Sequence, residues 1–481
     1  MTGAGEGSGI VAQPAAAESS PAPPPAGPMI MNSSELGSHG IAALRATALR
    51  VAAAGLAACD VARATEQTVS ATDRGVSIGG RDYPVSPHAR VVVLGSGKAT
   101  LSIAAALERL LGDRLDGGVV VVRAGEEGPE LSRVDVLVAD HPLPSERSAA
   151  AAARLLEAAD GLGADDLVLA AFTGGSSALA SLPPDGVTLA DKRRLHELLL
   201  ASGAPINDVN AVRKHVSAVK GGRLAARIAP ARIVNLTASD VAGDVLDAIT
   251  DPTVVDTSTV DDAIAVLRDR EIWDQVPASV REHLGTPAAD SPALDGASID
   301  TVLLATGAQA CDAMVLEAKT AGLNAHIFST TLEGEAHEIG RMLADLARES
   351  STRGTPFAPP CLLVGCGGEA TVALGEDGAF GAGGPNQETA LATALALDGG
   401  AAVAAAFIDT DGSDGGTDAA GGVADGASMA RAADAGVDLS ASLAAHRSRE
   451  ALERLDDLVF TGPTGTNVND LFVLAVGTPE Q

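Results

Sequence analysis

Aromatic residues are scarce in this sequence: they make up 2% of it, with seven Phe, one Trp and one Tyr. Since 46% of the residues are hydrophobic, the core must be built from Ala, Val, Leu and Ile. Basic residues are few as well, 33 against 63 acidic ones, which leaves a net charge of −30 at pH 7. Such a chain repels phosphodiester backbones and anionic lipid surfaces, so we expect neither nucleic acid nor a membrane as a partner.

Lysine is rare among the basic residues, with five in the whole chain. An acid-rich, lysine-poor surface stays hydrated where salt screens its self-repulsion, which is typical of a halophilic, high-salt cytosol. The Arg-biased codon usage of a GC-rich genome would remove lysine equally well. Both explanations stay open at this stage.

Cysteines and long apolar runs are also few, which argues against a disulfide framework, a zinc site and a membrane-spanning segment. Four scattered cysteines do not make a disulfide framework, so we expect reduced thiols. The pair Cys361 and Cys366 lacks the further Cys or His residues that a zinc site needs. The chain has no apolar run of about 18 residues and no signal-peptide pattern at its N-terminus. We therefore predict a cytoplasmic protein.

The length of 481 residues suggests two or three domains at about 150 residues each. Residues 1–32 are rich in Pro and Ala and cannot bury enough apolar surface to offset their ordering entropy, so we predict a disordered tail. A start codon at Met29 or Met31 is the alternative. Scattered prolines between about 265 and 298 indicate a domain junction. We predict an N-terminal domain over 33–290 and a C-terminal domain over 291–481.

Short β-branched runs alternate with Ala- and Leu-rich helical stretches from about residue 40 onward. The predicted strands of a first series lie at 90–94, 118–122, 134–140, 166–172 and 232–237, and those of a second series at 300–307, 324–330, 361–366 and 401–409. Strands separated by helices form βαβ units with a mainly parallel, doubly covered sheet. The fold class is therefore α/β with two α/β domains, and the cleft between them is the default site.

A first Gly-rich turn follows the strand at 90–94. Gly95 and Gly97 permit a tight turn into a helix, whose N–H groups can face an anion, and Lys98 adds a mobile positive charge. The full spacing of a P-loop is absent. A plain strand-to-helix turn with a solvated Lys98 is the alternative.

A second Gly-rich turn follows the strand at 166–172. Its small residues expose backbone N–H groups that suit a phosphate or a carboxylate. The candidate binding residues are Gly174, Gly175, Ser176 and Ser177. Ala178 stands where a nucleophile elbow needs its last Gly, which argues against a hydrolase serine.

Two helices are predicted between these turns and the strand at 232–237: one over about 188–202, begun by Thr188, and one through 210–228. On the second helix, spacings of three and four residues would align basic and polar side chains on one face. The members of that face are Asn210, Arg213, Lys214, Ser217 and Lys220. In a very acidic protein such a face points to an anionic ligand, and a solvated face with paired charges is the alternative.

Carboxylates follow two further strands. Asp240 and Asp244 come after 232–237, and Asp409 and Asp411 come at and after the end of 401–409. Carboxylates beside glycines suit Mg²⁺, and an anion site in the same chain indicates a metal-nucleotide. The EF-hand pattern fails because Ala420 stands where its last ligand, a Glu, belongs.

Three more loops combine small residues, amides and carboxylates, so we predict that they line a polar ligand. Their candidate residues are Glu369, Asn386, Gln387, Glu388, Thr466, Asn467 and Asn469.

Nine motifs, in this order, resemble the class II glycerate 2-kinases, whose C-terminal part is called the MOFRL domain. They are GSGKA, TGGSSA, VRKHVSAVKGGRLA, SDVAGD, LEGEA, GCGGEATV, GGPNQE, DTDGSDGGTDAAG and TGPTGTNVNDL, spread over roughly residues 40–478. The resemblance implies ATP- and Mg²⁺-dependent phosphorylation of D-glycerate at its 2-hydroxyl, giving 2-phosphoglycerate. It also implies a Rossmann-like N-terminal domain, a smaller C-terminal MOFRL domain and an active site in the cleft between them.

The resemblance further implies roles for individual residues. Lys98 would neutralise charge that develops on the transferred phosphoryl group. The groups that would hold the glycerate carboxylate or the nucleotide phosphates are Arg213, Lys214 and Lys220, helped by the amides of Ser176 and Ser177. The carboxylates that would place the metal and orient the attacking hydroxyl are Asp240 or Asp244, together with Asp409 and Asp411.

Two departures from the family pattern keep alternatives open. Pro385 stands where many relatives have an Arg that would reach the phosphates, and the segment from His446 to Arg449 replaces an Asn-Asp-Ser stretch. A relative that binds nucleotide without catalysis is therefore one alternative. A hydroxypyruvate reductase, the label of some relatives, is another, although the chain lacks a dinucleotide fingerprint with its ribose-binding acid. The expected partner is a small molecule, D-glycerate, and a homodimer stays open.

Overall fold

The computed structural model describes residues 9–10, 29–126, 128–241, 243–368, 370–374, 380–397 and 401–478. Most of the tail predicted over 1–32 lies outside these ranges, and so does the candidate residue Glu369. The described part of the chain forms strands and helices that fall into two compact units. Within it, no single helix has the length and apolar character to cross a membrane, whereas the bent pair formed by residues 42–58 and 61–68 meets that test jointly.

The strands are β1 (Gly9–Ile10), β2 (Val69–Thr72), β3 (Gly75–Ile78), β4 (Arg81–Pro84), β5 (Val91–Ser96), β6 (Gly117–Arg123), β7 (Val134–Ala139), β8 (Leu167–Phe172), β9 (Arg232–Ala238), β10 (Ile299–Ala305), β11 (Asn324–Leu332), β12 (Cys361–Gly367), β13 (Val403–Asp409), β14 (Gly421–Asp425), β15 (Leu458–Val459) and β16 (Asp470–Val476).

The α-helices are α1 (Ser33–Leu36), α2 (Ala42–Ala58), α3 (Val61–Thr68), α4 (Thr100–Leu111), α5 (Glu146–Ala158), α6 (Ser176–Leu179), α7 (Leu189–Ala201), α8 (Ile206–His215), α9 (Arg223–Ile228), α10 (Leu246–Ile249), α11 (Val260–Asp269), α12 (Ala278–Leu284), α13 (Gly307–Thr320), α14 (Ala336–Arg353), α15 (Pro385–Ala396), α16 (Ser428–Ala435), α17 (Leu439–Ala444) and α18 (Ser448–Arg454).

The first unit contains a seven-stranded sheet in the order β1-β10-β9-β8-β5-β6-β7. β5 pairs in parallel with both β6 and β8, and the β6–β7 and β8–β9 pairs are parallel as well. Strands β5 and β8 are buried along their whole length, as their apolar runs predict for a sheet covered on both faces. The predicted α/β class and the parallel sheet are confirmed.

The direction in which successive strands join the sheet reverses at β5, which is therefore the switch point of the sheet. From β5 the chain moves outward through β6 and β7, then returns to β8 on the other side of β5 and continues to β9 and β10. Open parallel sheets hold ligands where this reversal occurs, at the carboxyl ends of the strands. In this sheet that position lies between the ends of β5 and β8, which are the strands that carry the two predicted Gly-rich turns.

The predicted helix through 210–228 is wrong, because the chain breaks it into α8 and α9. Val216 caps α8, and the Ser217 side chain accepts hydrogen bonds from the amides of Val219 and Lys220. Gly221 and Gly222 then take φ values of 62° and 74°, a left-handed conformation that ends regular helix. Ser217 and Lys220 therefore do not share a helix face with Asn210 and Lys214.

The stretch predicted as a domain junction, about 265–298, folds as part of the first unit. Helices α11 and α12 contribute Leu267, Val280 and Leu284 to a small core that they share with α7 and α8. This segment has no strand run because it is helical. The helix predicted to begin at Thr188 is confirmed as α7, with the Thr188 side chain accepting from the amide of Asp191.

The second unit contains a six-stranded sheet in the order β11-β12-β16-β13-β14-β15. β11 and β12 pair in parallel, while the β12–β16, β16–β13, β13–β14 and β14–β15 pairs are antiparallel. Helix α2 packs against β13, β16 and α13 of this unit. The structure thus groups residues 29–60 with the C-terminal part and passes to the second unit after residue 304, instead of at the predicted 290/291. The predicted cleft between two domains stays a prediction.

Candidate active site

The two Gly-rich turns of the first unit lie side by side. Gly97 has φ 135°, and a Cβ at this position would clash with the side-chain and carbonyl oxygens of Thr173. The amide of Lys98 donates to the carbonyl of Gly174 over 2.9 Å, and the amide of Ala99 donates to Thr173 Oγ1 over 3.1 Å. Glycine is therefore required where the turn after β5 meets the end of β8. Gly95 belongs to β5 itself, one step before this turn.

Residues from three turns lie close together beside Lys98. Gly175 takes a left-handed φ of 88°, and a Cβ there would lie 3.4 Å from the ring of His141 and 3.5 Å from Lys98 Cγ. His141 follows β7, so residues after three different strands meet beside Lys98. The topological argument about the carboxyl ends of parallel strands could have placed His141 here.

The serine amides of the second turn are not equally available. The amide of Ser176 donates to the carbonyl of Thr173 over 3.2 Å, which closes the turn at the start of α6. The expectation of a bare Ser176 amide is therefore wrong. Ser177 is half-buried on α6, and its role as a ligand contact stays a prediction.

The basic residues predicted on one helix face have different environments. The ammonium of Lys214 lies 2.9 Å from a carboxylate oxygen of Asp247 and 2.9 Å from one of Asp256. Burial would lower the pKa of Lys214, but hydrogen bonds and charge from these two carboxylates raise it overall. Lys220 forms a buried ion pair with Asp251. Both lysines are thus paired within the first unit, where they anchor the segments around α10.

Arg213 and Asn210, both half-buried on α8, are the other predicted members of this set. The Nε of Arg213 is buried and makes no hydrogen bond within the described part of the chain. Burial lowers the pKa of the Arg213 guanidinium, and the charge of Asp251 opposes that shift. Arg213 therefore retains a buried donor for a phosphate or a carboxylate.

The second unit brings together most of the predicted carboxylates and amides. Asn467 Nδ2 donates to a carboxylate oxygen of Asp240 over 3.2 Å, and Asn469 Nδ2 donates to the Asp240 carbonyl. The carbonyl of Asn469 in turn accepts from Thr410 Oγ1 over 2.7 Å. Asn469 thereby ties Asp240 to the loop that carries Asp409 and Asp411.

Asp409 and Asp411 are themselves buried and held by backbone amides. Asp409 accepts from the amide of Asp411 over 3.0 Å, and Asp411 accepts from the amide of Ser413 over 2.8 Å. Asp244 belongs to the first unit, whereas Asp240 is grouped with the second. Across the described ranges no three His, Cys, Asp or Glu side chains are arranged to hold a metal ion. The four-aspartate metal set therefore stays a prediction.

The amides at the start of α15 bind an aspartate that was not among the predicted site residues. Asp414 accepts hydrogen bonds from the backbone and side-chain nitrogens of Asn386 and Gln387. Burial raises the pKa of Asp414 to about 6, against the effect of these four bonds. Asn386 also donates to Asp470 over 2.5 Å. Asn386 and Gln387 thus order the loop after β13, and the DTDGSD motif contained the signal for Asp414.

Glu388 and Thr466 complete the predicted set in the second unit. Glu388 is buried, and one of its carboxylate oxygens lies 3.0 Å from His446 Nδ1. Thr466 is buried as well, and its hydroxyl makes no hydrogen bond among the described residues. His446 therefore occupies its unusual position, with φ 48°, as the partner of a buried carboxylate.

The fold and these sites define a class of protein. It is an α/β protein in which a lysine stands at the switch point of a parallel sheet, and in which a second sheet carries buried carboxylates and amides on its loops. Such an arrangement can bind and neutralise an anionic group.

Comparison with known proteins identifies the family. Residues 47–285 match the family described as a domain of unknown function (DUF4147), and residues 361–470 match the MOFRL family. A protein of Pyrococcus horikoshii named glycerate 2-kinase is 40% identical over 438 residues, which cover 90% of this chain and 97% of that protein. The chain belongs to the MOFRL-domain glycerate kinases.

Two further relatives add to this comparison. The crystal structure of a glycerate kinase from Thermotoga maritima matches with a TM-score of 0.75 and 35% identity, over 89% of this chain and 97% of that one. A protein of Agrobacterium vitis that carries a hydroxypyruvate reductase name is 42% identical over 397 residues, which cover 82% of this chain and 89% of that protein.

Proposed function

We propose that this protein transfers the terminal phosphoryl group of ATP to the 2-hydroxyl of D-glycerate, giving 2-phosphoglycerate and ADP. The observation that carries the proposal is the position of Lys98, which follows β5 at the switch point of the parallel sheet and lies against the turn after β8. Family membership supports the reaction class, because relatives at about 40% identity are named glycerate 2-kinase.

Phosphoryl transfer requires positioning and charge neutralisation more than covalent chemistry. In our proposal the Lys98 ammonium neutralises charge on the transferred group, and Arg213 contacts a phosphate or the glycerate carboxylate. Asp240 orients the attacking hydroxyl, since Asn467 and Asn469 fix its carboxylate and its backbone. Lys98 and Asp240 are each held by groups on a different segment, which is the preorganisation that this chemistry needs.

The donor set of the second unit suits Mg²⁺. Asp240, Asp409 and Asp411 offer carboxylate oxygens, and Mg²⁺ is usually held by one or two carboxylates together with substrate phosphates and water. When bound, Mg²⁺ would neutralise charge on the nucleotide phosphates. Asp409 and Asp411 would hold it, and Asp244 stays a candidate ligand.

Pro385 does not exclude catalysis in this proposal. Proline is well suited to the first position of a helix, and here it begins α15 after the N-cap Gly384. Arg447 and Arg449 lie beside the loop that precedes α15: a Cβ at Gly381 would clash with Arg447, and the amide of Arg449 donates to the carbonyl of Ala382 over 3.1 Å. Either arginine could supply positive charge near this loop.

Product identification tests the proposal. We propose that the protein is cytoplasmic. We would incubate it with ATP, Mg²⁺ and D-glycerate in a reducing buffer near neutral pH, and identify the product by phosphorus NMR. We expect 2-phosphoglycerate. Formation of 3-phosphoglycerate alone would keep the kinase and overturn the position of transfer. Oxidation of NADH or NADPH with hydroxypyruvate, without any phosphorylated product, would favour hydroxypyruvate reductase activity, after which the Agrobacterium vitis relative is named.

A further inference from the structure

A group of buried basic side chains lies next to α6 in the first unit. Lys192 is 1% exposed, and its ammonium donates to the carbonyl of Leu182 over 3.2 Å. His196 lies one turn further along α7 and is also buried. Arg213 on α8 and Lys220 after α8 are close enough to influence the charge of both. Lys192 and His196 were not among the residues singled out from the sequence.

The group carries more positive than negative charge. Lys192, Arg213 and Lys220 are three cations. Among the described residues, Asp251 is the carboxylate whose charge acts on all three, and it is ion-paired with Lys220. Burial lowers the pKa of Lys192 to about 7, and the charges of Lys220, Arg213 and Arg223 add to that effect. The pKa of His196 falls to about 2 through burial and through the same cations. Buried charge without a counter-charge is unfavourable, so this group of cations lacks an anion that would balance its charge.

Several polar atoms of this group have no hydrogen-bond partner within the described residues. They are Nε2 of His196, Nε of Arg213, Oγ of Ser181 and Oδ1 of Asp251. Buried polar atoms are nearly always hydrogen-bonded in folded proteins. Most of these atoms can donate a hydrogen bond, and they accompany a surplus of two positive charges, so the group that would satisfy them is an anion.

We propose that Lys192, Arg213 and Lys220 form a binding site for a phosphoryl-type dianion, with Ser181 and His196 as hydrogen-bonding neighbours. A dianion balances the surplus of two charges, whereas a carboxylate would balance one. Lys214 is not part of this site, because Asp247 and Asp256 already neutralise it. The half-buried Arg213 marks the exposed side of the group. The identity of the natural ligand, a nucleotide phosphate or the phosphate of the product, rests on the proposed function.

Binding of sulfate to the full chain tests the proposal without any turnover. Sulfate is a dianion whose charge does not change near neutral pH. We would add it to the protein at constant ionic strength and measure binding by calorimetry. Because the bound dianion favours charged Lys192, affinity should fall by up to about tenfold per pH unit above pH ~7. The other charged groups that face Lys192 are Lys220, Arg213, Arg223 and Asp251. Burial keeps the pKa values of His196 and His283 below the window of about pH 6.5–8.5 in which binding is measured.

Substitutions locate the effect. We expect Lys192→Met to weaken sulfate binding at least about tenfold and to remove its pH dependence, while the exposed Lys319→Met changes neither. Arg213→Gln is the second variant, to be used if Lys192→Met does not fold, and it should weaken binding as well. Competition by ADP or by 2-phosphoglycerate distinguishes the two sources of the phosphate group.

The outcomes separate this inference from the proposed function. Unchanged sulfate binding in both Lys192→Met and Arg213→Gln would overturn the site, even if the protein produced 2-phosphoglycerate. Equal weakening in Lys319→Met would also overturn it, because it would show general charge attraction. Specific, pH-dependent binding in a protein without kinase activity would support the site and reject the proposed function.

Discussion

Lys214 donates from one ammonium group to two carboxylates, and this makes it a structural residue in the folded protein. Its partners, Asp247 and Asp256, lie on segments that follow β9, so the lysine joins α8 to them. Lys214→Met would leave two buried carboxylates without their cation. We expect a loss of about 3–5 kcal/mol in the free energy of unfolding, measured by urea denaturation at neutral pH. Lys319→Met, on an exposed helical position, should change it by less than about 0.5 kcal/mol.

The same residue should govern acid sensitivity. Burial alone would raise the pKa of Asp256, but hydrogen bonds from Ser291, Ser258 and Lys214 lower it to about 2. A depressed carboxylate pKa stabilises the fold above the unfolded value of about 3.9, and this stabilisation is lost as the pH falls towards 2. In Lys214→Met the free energy of unfolding should therefore vary less with pH between about 4 and 2. An unchanged slope would show that the lysine does not act on Asp256.

Substitution of Gly97 should have two separate effects on stability, backbone strain and a steric clash. A Cβ at Gly97 would meet Thr173, whereas a Cβ at Gly186, also at positive φ, would meet nothing within 4 Å. Both Gly→Ala substitutions incur the backbone strain, and only the first adds a steric clash. Gly97→Ala should therefore destabilise by about 1–3 kcal/mol more than Gly186→Ala in denaturation experiments. Equal losses would contradict the close approach of the two turns.

Helix α15 depends on an aspartate from another segment for its N-terminus. Its N-cap, Gly384, has no side chain to accept from the first amides, and Asp414 accepts from those of Asn386 and Gln387 instead. Asp414→Ala would leave several buried donors without acceptors, so we expect a loss of about 3 kcal/mol in unfolding free energy. Asp434→Ala, on the exposed side of α16, is the matched control and should stay within about 0.5 kcal/mol. A small effect of both would show that α15 begins without this cap.

Elements with strong patterns were predictable from the sequence, and elements held by tertiary contacts were not. β5 and β8 have continuous apolar runs, and both were found. The hairpin strands β2, β3 and β4 have four residues each and mixed polarity, so no period stood out. β14 begins with two glycines, and its pairing with β13 is what makes it a strand. The break between α8 and α9 depends on the left-handed Gly221 and Gly222, which the helical period concealed.

The candidate site was only partly predictable, for a physical reason that concerns the whole chain. The motifs identified Lys98, Asp240 and Asn469 because each lies in a loop of small residues. Their partners come from distant parts of the chain: 229 positions separate Asn469 from Asp240. Asp414 and Lys192 act through neighbours that only folding brings near, so no local pattern could assign their roles.

The net charge of −30 should make the stability of the whole molecule depend on salt. Self-repulsion disfavours the compact state, and raising the salt from 0.1 M to 1 M shortens the screening length from about 10 Å to about 3 Å. We expect the free energy of unfolding to rise between these KCl concentrations, measured by urea denaturation. Equal stability at both would reject the halophilic interpretation and leave codon usage as the explanation for the scarcity of lysine.

We propose that phosphoryl transfer takes place beside Lys98, at the switch point of the seven-stranded sheet. The most direct test is the turnover of D-glycerate with ATP and Mg²⁺ by Lys98→Met, compared with the parent protein and with Lys319→Met. We expect a fall of about 10²–10³-fold in kcat for Lys98→Met, with folding and the control variant unaffected. Turnover by Lys98→Met equal to that of the parent protein would contradict this role of Lys98.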